Sequence, residues 1–299
     1  MSAGAEPLLS ISAVGALTGV NPVTLRAWER RYGLLRPHRT EQGHRLFSDA
    51  EVQRIRQILG WLDKGVAISR VRPLLDSTQP DISDIAPDWA EAVESGRQAA
   101  LALAPHRLEQ QFNRMTGDYP LARVFSHWLA PLQRMLKDQA ALPEANVAAG
   151  VLDTFMRAKL GTRLLAAQRR AGRAPRWVIV PLGQGSGKGR AQGLAPLMLA
   201  ALCGEADQPC VLLPQLPPPD ALRALGQRAD VRGLLLVLPA DITATMLRRA
   251  LGSAARHLQG RLWGCGEGLL TLGTAPEGLR ALHGDMETVV QSLAEGDRP

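Results

Sequence analysis

The sequence predicts a multidomain chain that combines α-helical and α/β domains. Its 299 residues exceed one average domain, and a composition of 45% hydrophobic and 21% charged residues is typical of globular proteins. Three patterns predict the architecture. A short helix, a turn and a basic helix come first, a long helical pattern follows, and short apolar runs then alternate with helices. These patterns divide the chain into domains at 1–76, 89–172 and 173–299, with a linker at 77–88.

The first domain has the pattern of a winged helix-turn-helix. A short helix is interrupted at Gly19, and a second helix begins almost at once, with Asn21 to cap its free amides and Pro22 suited to its first position. Two short helices joined by a glycine-containing turn indicate a helix-turn-helix, whose second helix enters a DNA major groove. The turn signal Gln42-Gly43 predicts a β-hairpin wing.

Basic side chains on the second helix and the wing are candidate DNA contacts. Leu25 and Trp28 form the buried stripe of the helix, so other faces are free to reach base edges or phosphate oxygens. A net charge of +7 also favours a polyanionic partner, here double-stranded DNA. A solvated basic helix is the simpler alternative, but the unbroken order of helix, turn, basic helix and hairpin favours DNA binding. The candidates on the helix are Thr24, Arg26, Arg30 and Arg31, and those on the wing are Arg39, His44 and Arg45.

This domain resembles a known family. The string "TLRAWERRYGLLRPHRTEQGHRLFSDAEVQRI" is similar to the MerR family of DNA-binding regulators, in particular to the branch of the CarA/CarH/LitR and MlrA-type regulators. The resemblance covers residues 8–76 and implies a two-fold related operator bound by a dimer. Typical relatives dimerise through a long helix after this unit, whereas the helical pattern here stops at "DSTQPDISDIAPD". We therefore expect a homodimer or higher homo-oligomer to form through the remaining chain.

The middle of the chain is predicted to be a linker followed by a four-helix bundle. Residues 77–88 combine Asp, Ser, Thr and Pro without periodicity, as linkers do. Beyond them the pattern is helical and is broken by prolines. Four helices separated by short breaks are typical of a bundle. The expected helices are 87–103, 105–115, 119–138 and 144–171.

The last domain is predicted to be flavodoxin-like (Rossmann-like) and α/β. Short apolar runs that alternate with helices indicate a parallel sheet covered on both faces, with any ligand at the carboxyl ends of the strands. The expected strands are "RWVIVPL", "PCVLLP", "VRGLLLVLP" and "RLWGCG". The expected helices are 190–203, 218–229, 241–257 and 275–294.

The glycine-rich segment "GQGSGKGRAQG" after the first strand does not have the spacing of a phosphate-binding loop. That motif requires glycine at position 182 and serine or threonine at 189, where the chain has Leu182 and Gly189. A flexible or closely packed turn is the simpler interpretation.

A bundle followed by this α/β pattern resembles the cobalamin-binding module of the same branch. The resemblance implies a tryptophan and a Glu-His pair over the upper face of the cofactor, and a D-x-H-x-x-G motif whose histidine ligates cobalt. This chain has Gln139 at the tryptophan position, Ala149-Gly150 at the Glu-His position, Lys188 at the aspartate and Arg190 at the histidine. Because arginine stays protonated and offers no lone pair to a metal, we predict a cobalamin-binding-like domain without a cofactor.

Two roles stay open for this module. Lys188 and Arg190 place positive charge beside a helix start, which suits an anionic effector such as a cyclic dinucleotide. Alternatively, the module only mediates protein contacts. The second function to weigh is a co-regulator that acts in a mixed oligomer with a related light- or ligand-sensing regulator subunit.

The remaining patterns argue against catalysis, metal binding and membrane insertion. No recognised spacing supplies a nucleophile, base and stabiliser, so we do not expect an enzyme. The six histidines form no paired zinc spacing, and the three cysteines form no C-x-x-C pair. The sequence shows neither a signal peptide nor an apolar run of about 18 residues. We therefore expect a cytoplasmic protein.

Overall fold

A computed structural model describes residues 8–63, 66–76, 89–183, 193–252, 258, 260–272 and 278–295. The chain divides into two compact units, Met1–Phe155 and Met156–Pro299. The expected linker at 77–88 lies outside the described residues, as do Lys188 and Arg190.

The first unit begins with two short helices and a small antiparallel sheet. The strands lie in the order β1-β3-β2, so the wing hairpin β2–β3 also pairs with a strand at the start of the chain. The elements are β1 (Leu9–Ser10), α1 (Ile11–Thr18), α2 (Pro22–Arg30), β2 (His38–Arg39), β3 (Arg45–Phe47), α3 (Asp49–Asp63) and α4 (Ile68–Asp76). The predicted helix-turn-helix and hairpin are confirmed, whereas β1 was not predicted.

Local capping determines where α1 ends and where α2 begins. Gly19 ends α1 with a φ of 71°, a left-handed conformation that suits glycine. The side chain of Asn21 then accepts a hydrogen bond from the backbone N–H of Thr24 at 2.9 Å, and Pro22 starts α2. The chain therefore turns sharply between the helices. The buried Leu25 and Trp28 of α2 pack in the core that α1, β3, α3 and α4 share.

Residues 89–171 are also mainly helical. They are α5 (Trp89–Leu101), α6 (Pro105–Asp118), α7 (Leu121–Val124), a π-helical segment (Phe125–Leu129), α8 (Ala130–Asp138) and α9 (Pro143–Ala171). Trp128 is fully buried among them, and its indole N–H donates to the carbonyl of Ala92 at 3.1 Å. Gly96 allows this packing, because a Cβ at that position would lie 3.0 Å from the indole nitrogen.

The long helix α9 contributes to both units. In the second unit, Arg163 pairs with Glu205 at 2.8 Å, and the side-chain amide of Gln168 donates to the carbonyl of Cys210 at 3.1 Å. The domain boundary at residue 172 therefore remains a prediction.

The second unit contains a five-stranded parallel sheet in the order β5-β4-β6-β7-β8. Its strands are β4 (Arg176–Pro181), β5 (Cys210–Leu212), β6 (Val231–Val237), β7 (Leu262–Cys265) and β8 (Arg280–Ala281). The helices are α10 (Ala195–Glu205), α11 (Pro219–Gly226), α12 (Ala244–Leu251), α13 (Gly268–Leu272) and α14 (Met286–Glu295). The alternation of strands and helices confirms the predicted parallel sheet.

The end of the chain corrects the sequence prediction. A single helix over 275–294 is wrong: β8 pairs with β7, and α14 begins only at Met286. Gly284 separates them with a φ of 110°, which helical backbone does not adopt. The backbone N–H of Leu282 donates to the carbonyl of Gly264 at 2.8 Å, so this segment stays on the sheet edge.

The three cysteines of the chain are buried thiols in the second unit. Hydrogen bonding with Cys210 and burial raise the pKa of the Cys203 thiol well above its usual range, and burial raises the pKa of Cys265 to about 12. Within the described parts of the chain, no group of three His, Cys, Asp or Glu residues is arranged to hold a metal ion. None of the described helices is long and apolar enough to cross a membrane.

Candidate nucleic-acid interface

The outer face of α2 presents two arginines to solvent. Arg26 and Arg30 are exposed, and Val23 beside them is 61% exposed, whereas Leu25 and Trp28 face the core. A separation of four residues places the two guanidinium groups on one face of the helix. This face has the charge, length and accessibility to lie against a phosphate backbone or the floor of a groove.

Glu29 ties the wing to this helix. Its carboxylate accepts from Arg39 on β2 at 2.7 Å and from Arg45 on β3 at 2.5 Å. Burial acts to raise the pKa of Glu29, but the hydrogen bonds from Arg45 and Arg39 outweigh it and hold the pKa below 4.5. The Arg45 side chain is 18% exposed and that of Arg39 is 52% exposed. Arg45 is thus held against α2 and fixes the wing there, while about half of the Arg39 side chain stays accessible to solvent.

His44 lies at the tip of the wing and is exposed. The turn before it is closed by hydrogen bonds that Thr40 makes with the backbone of His44, and Gly43 adopts a φ of 81°. Glycine suits this left-handed position because a side chain there would be strained. The wing therefore presents the imidazole of His44 at the end of a fixed hairpin.

Thr24 does not face outward, contrary to the sequence prediction. It is fully buried, and its hydroxyl donates to the carbonyl of Thr116 at the end of α6 at 3.4 Å. Thr24 and Trp28 are one helical turn apart, so both sit on the side of α2 that packs against other elements. In this conformation Thr24 does not reach a groove.

Arg31 is also turned toward α6. Its guanidinium pairs with the carboxylate of Asp118 at 2.5 Å, although 53% of the Arg31 side chain remains exposed. The adjoining Tyr32 shares this carboxylate: burial, followed by the charge and hydrogen bond of Asp118, raises the pKa of Tyr32 to about 12. Asp118 therefore neutralises part of the positive charge at the end of α2.

The structure thus sorts the predicted residues into three groups. Arg26, Arg30 and His44 are exposed, Arg39 and Arg45 are held together by Glu29, and Thr24 and Arg31 contact α6. Sequence reasoning missed Glu29 and Asp118. Both carboxylates act through arginines that lie 10 to 87 positions away in the chain, and no local pattern signals such pairs.

A separate cavity of about 390 Å³ lies at the carboxyl ends of the strands in the second unit. Its described walls are largely apolar and include Leu182, Leu199, Leu238 and Met286. The carboxyl-bearing residues Glu267 and Asp285 also line it. The predicted effector residues Lys188 and Arg190 lie outside the described residues, so the structure gives no position for them relative to this cavity.

Comparisons with known proteins identify the amino-terminal unit. Residues 9–78 match the family model described as MerR HTH family regulatory protein. The HTH-type transcriptional regulator MlrA of Escherichia coli (strain K12) is 37% identical over 166 residues, which cover 56% of this chain and 66% of MlrA. The HTH-type transcriptional repressor CarH of Myxococcus xanthus is 37% identical over 146 residues, 43% of this chain and 46% of CarH.

The amino-terminal domain belongs to the MerR family. Within this family it falls in the branch of MlrA, CarH and CarA, as the amino-terminal strings predict; the match to CarA of Myxococcus xanthus is 40% over 63 residues, 20% of this chain and 22% of CarA. The aligned segment spans just under two thirds of the MlrA relatives and less than half of CarH. The proteins it matches carry the names of transcriptional regulators, and none is named as an enzyme.

Cobalamin, which the resemblance to the CarH-like branch implies, does not fit the described residues. At the upper-face positions Ala149 carries only a methyl group and Gly150 no side chain, so neither supplies a polar atom. The described lining of the second-unit cavity contains no histidine. Burial raises the pKa of its thiol, Cys265, to about 12.

Proposed function

We infer that this MerR-family chain is a transcriptional regulator that binds a two-fold related operator as a homodimer or higher homo-oligomer. In this proposal residues 1–76 bind double-stranded DNA, 77–88 form a linker, and 89–172 and 173–299 form a module for sensing or oligomerisation. In the same proposal the protein is cytoplasmic, because a transcriptional regulator works in the compartment that contains its operator DNA. The match of residues 9–78 to the MerR helix-turn-helix model supports DNA binding by residues 1–76.

One observation carries the DNA-binding proposal. The capped helix α2 exposes Arg26 and Arg30 on one face, and the wing follows with Arg39 and His44 accessible. A basic helix face beside a basic hairpin is typical of a protein whose helix binds in a DNA groove and whose hairpin contacts the DNA phosphate backbone. In this arrangement Arg26 and Arg30 contact DNA directly, and Arg45 positions the wing.

The finer fold assignments belong to the same proposal. Packing of α5, α6, α8 and α9 around the buried Phe112 and Trp128 supports a four-helix bundle. The strand order β5-β4-β6-β7-β8 supports a flavodoxin-like domain, since it matches the doubly wound order in which the first strand lies second from one edge.

The carboxy-terminal module is proposed to work without cobalamin. Arg190 replaces the cobalt-ligating histidine, and Ala149-Gly150 replace the upper-face pair of the CarH-like pattern. Incubation of the purified protein with adenosylcobalamin, followed by desalting, is expected to leave no corrin absorption band. A retained band at one cofactor per chain contradicts the proposal.

The proposed function is tested by finding the DNA that the protein binds. Genome-wide mapping of bound DNA in cells, followed by footprinting with the purified chain, is expected to reveal protected sites with a two-fold related sequence. Absence of any protected site at low ionic strength contradicts the proposal. Light scattering with and without that DNA distinguishes a homo-oligomer from a chain that requires a related subunit.

A further inference from the structure

The amino-terminal helix-turn-helix docks on the end of α6. The indole N–H of Trp28 donates to the main-chain carbonyl of Asp118 at 2.8 Å, and the guanidinium of Arg31 pairs with the Asp118 carboxylate at 2.5 Å. Thr24 completes the contact through the carbonyl of Thr116. Asp118 is 8% exposed, so a charged side chain is buried at the junction and its partner comes from the recognition helix.

A second pair of contacts joins α3 and α4 to the segment after α6. Arg123 on α7 forms an ion pair with Asp63 at the end of α3. The backbone N–H of Ile68 donates to the hydroxyl of Tyr119 at 3.4 Å. Contacts at two separate places resist rotation of the amino-terminal helix-turn-helix domain against the helical region around α6 and α7. A single contact would allow that rotation.

The docked arrangement leaves the proposed DNA-facing side of α2 free. Thr24 is buried against α6, whereas Arg26 and Arg30 are two and six residues further on and are exposed. At 3.6 residues per turn these offsets place both arginines on the opposite side of the helix from Thr24. Docking on α6 and binding to DNA therefore use different faces of α2, and both can occur together.

We propose that Asp118 is a positioning residue that fixes the recognition helix on the helical region and so restricts the half-site spacing that the oligomer accepts. This inference rests on the proposed function, because spacing has meaning only when two copies bind one operator. Two recognition helices held at a fixed separation match one half-site spacing, whereas DNA-binding domains that move independently of one another reach several.

The test is selection of binding sites from a random duplex library by four full-length proteins: wild type, Asp118→Ala, Arg31→Gln and Glu94→Gln. Arg31→Gln removes the same ion pair from its half-exposed partner, which guards against misfolding of the Asp118 variant. Glu94→Gln is the matched control, since it removes an acidic partner of Arg97 within α5, away from the docking contacts.

Wild type and Glu94→Gln are expected to select paired half-sites at one dominant spacing. Asp118→Ala and Arg31→Gln are expected to select the same half-site sequence at several spacings. The affinity of Asp118→Ala for an isolated half-site is expected to stay within about twofold of wild type. A purely structural role does not produce this split between unchanged half-site affinity and relaxed spacing.

Three outcomes overturn the inference in distinguishable ways. If wild type enriches no sequence, the proposed function fails and this inference fails with it. If wild type enriches half-sites and both variants retain its strict spacing, or wild type itself has no preferred spacing, only the positioning role is lost. If the variants that retain strict spacing also bind more tightly than wild type, the contact restrains DNA binding instead of positioning the helix.

Discussion

Arginines that cannot be told apart in the sequence differ in exposure and in ion pairing in the structure. Arg26 and Arg30 are exposed, whereas Arg31 is paired with Asp118 and Arg45 is paired with Glu29. A guanidinium already paired with a carboxylate loses that partner when it moves to a phosphate. Its net contribution to the free energy of DNA binding is therefore smaller. We therefore expect the exposed pair to contribute most of the direct binding free energy.

Replacement of Arg26 by alanine tests this distinction. Arg26→Ala is expected to weaken binding to the mapped operator by about 5- to 150-fold, the range for loss of a base or phosphate contact of about 1–3 kcal/mol. The melting temperature should stay unchanged because the side chain is exposed. Arg249→Ala on α12 is the matched control, and fluorescence anisotropy is the measurement. Equal affinities of Arg26→Ala and wild type would remove Arg26 from the interface.

Glu29 gives a prediction with a defined pH dependence. Its pKa is lower in the folded protein than the ordinary 4.5, so its stabilisation is fully present above 4.5 and is lost as the pH falls through the folded value. Glu29→Gln is expected to destabilise the amino-terminal unit at pH 7 by about 1–2 kcal/mol, as loss of charge-assisted hydrogen bonds does. As the pH falls below 4.5, the difference in unfolding free energy between Glu29→Gln and wild type should narrow.

Chemical denaturation at pH 7 and at pH 3.5 measures this effect. Glu41→Gln is the control, because Glu41 is an exposed residue of the same type in the wing. A difference between Glu29→Gln and wild type that stays constant across this pH range would show that the carboxylate charge is not what holds the wing.

At the scale of elements, glycines fix the ends of the carboxy-terminal strands. Gly266 follows β7 with a φ of 103°, and a Cβ there would lie 2.6 Å from the carbonyl oxygen of Leu238. Both the backbone conformation and the close approach exclude a side chain. Gly161 in α9 differs, because a Cβ there would meet no atom within 4 Å.

The two glycines therefore predict opposite effects of one substitution. Gly266→Ala is expected to destabilise the second unit by about 2 kcal/mol or more, since strain of about 1–3 kcal/mol adds to the clash. Gly161→Ala is expected to stabilise it by up to about 1 kcal/mol, the helix propensity difference. Thermal unfolding followed by circular dichroism compares them. A rise in melting temperature for Gly266→Ala would contradict the packing described for this strand end.

Elements with local signals were predictable from the sequence, and those with distant partners were not. Asn21 and Pro22 start α2 by contacts within one turn, so that helix was predicted at its correct start. The edge strand β8 has only two residues and exists because it pairs with β7, so the apolar pattern around it was misinterpreted as a helix. At the site, exposure of Arg26 followed from helical periodicity. Burial of Thr24 depends on Thr116, 92 positions away, and no local pattern shows it.

At the scale of the whole molecule, the excess of positive charge predicts a strong salt dependence of DNA binding. The chain carries a net charge of +7, and counterions released from DNA lower the observed affinity as salt rises. The slope of log K against log salt is expected to be about −0.9 for each neutralised phosphate. Arg30→Ala should make the slope less steep by about 1 if Arg30 neutralises one phosphate, as titrations between 50 and 200 mM salt measure. An unchanged slope would assign Arg30 to solvent.

The buried sulfur atoms of the second unit give the molecule an intrinsic reporter of its own opening. All three cysteines lie in the α/β unit, and Cys203 and Cys265 have raised thiol pKa values, so alkylating reagents find neither access nor thiolate while the sheet is intact. The rate of maleimide incorporation then measures how often this half of the protein unfolds. Because no cysteine lies in residues 1–155, the amino-terminal half does not contribute to that signal.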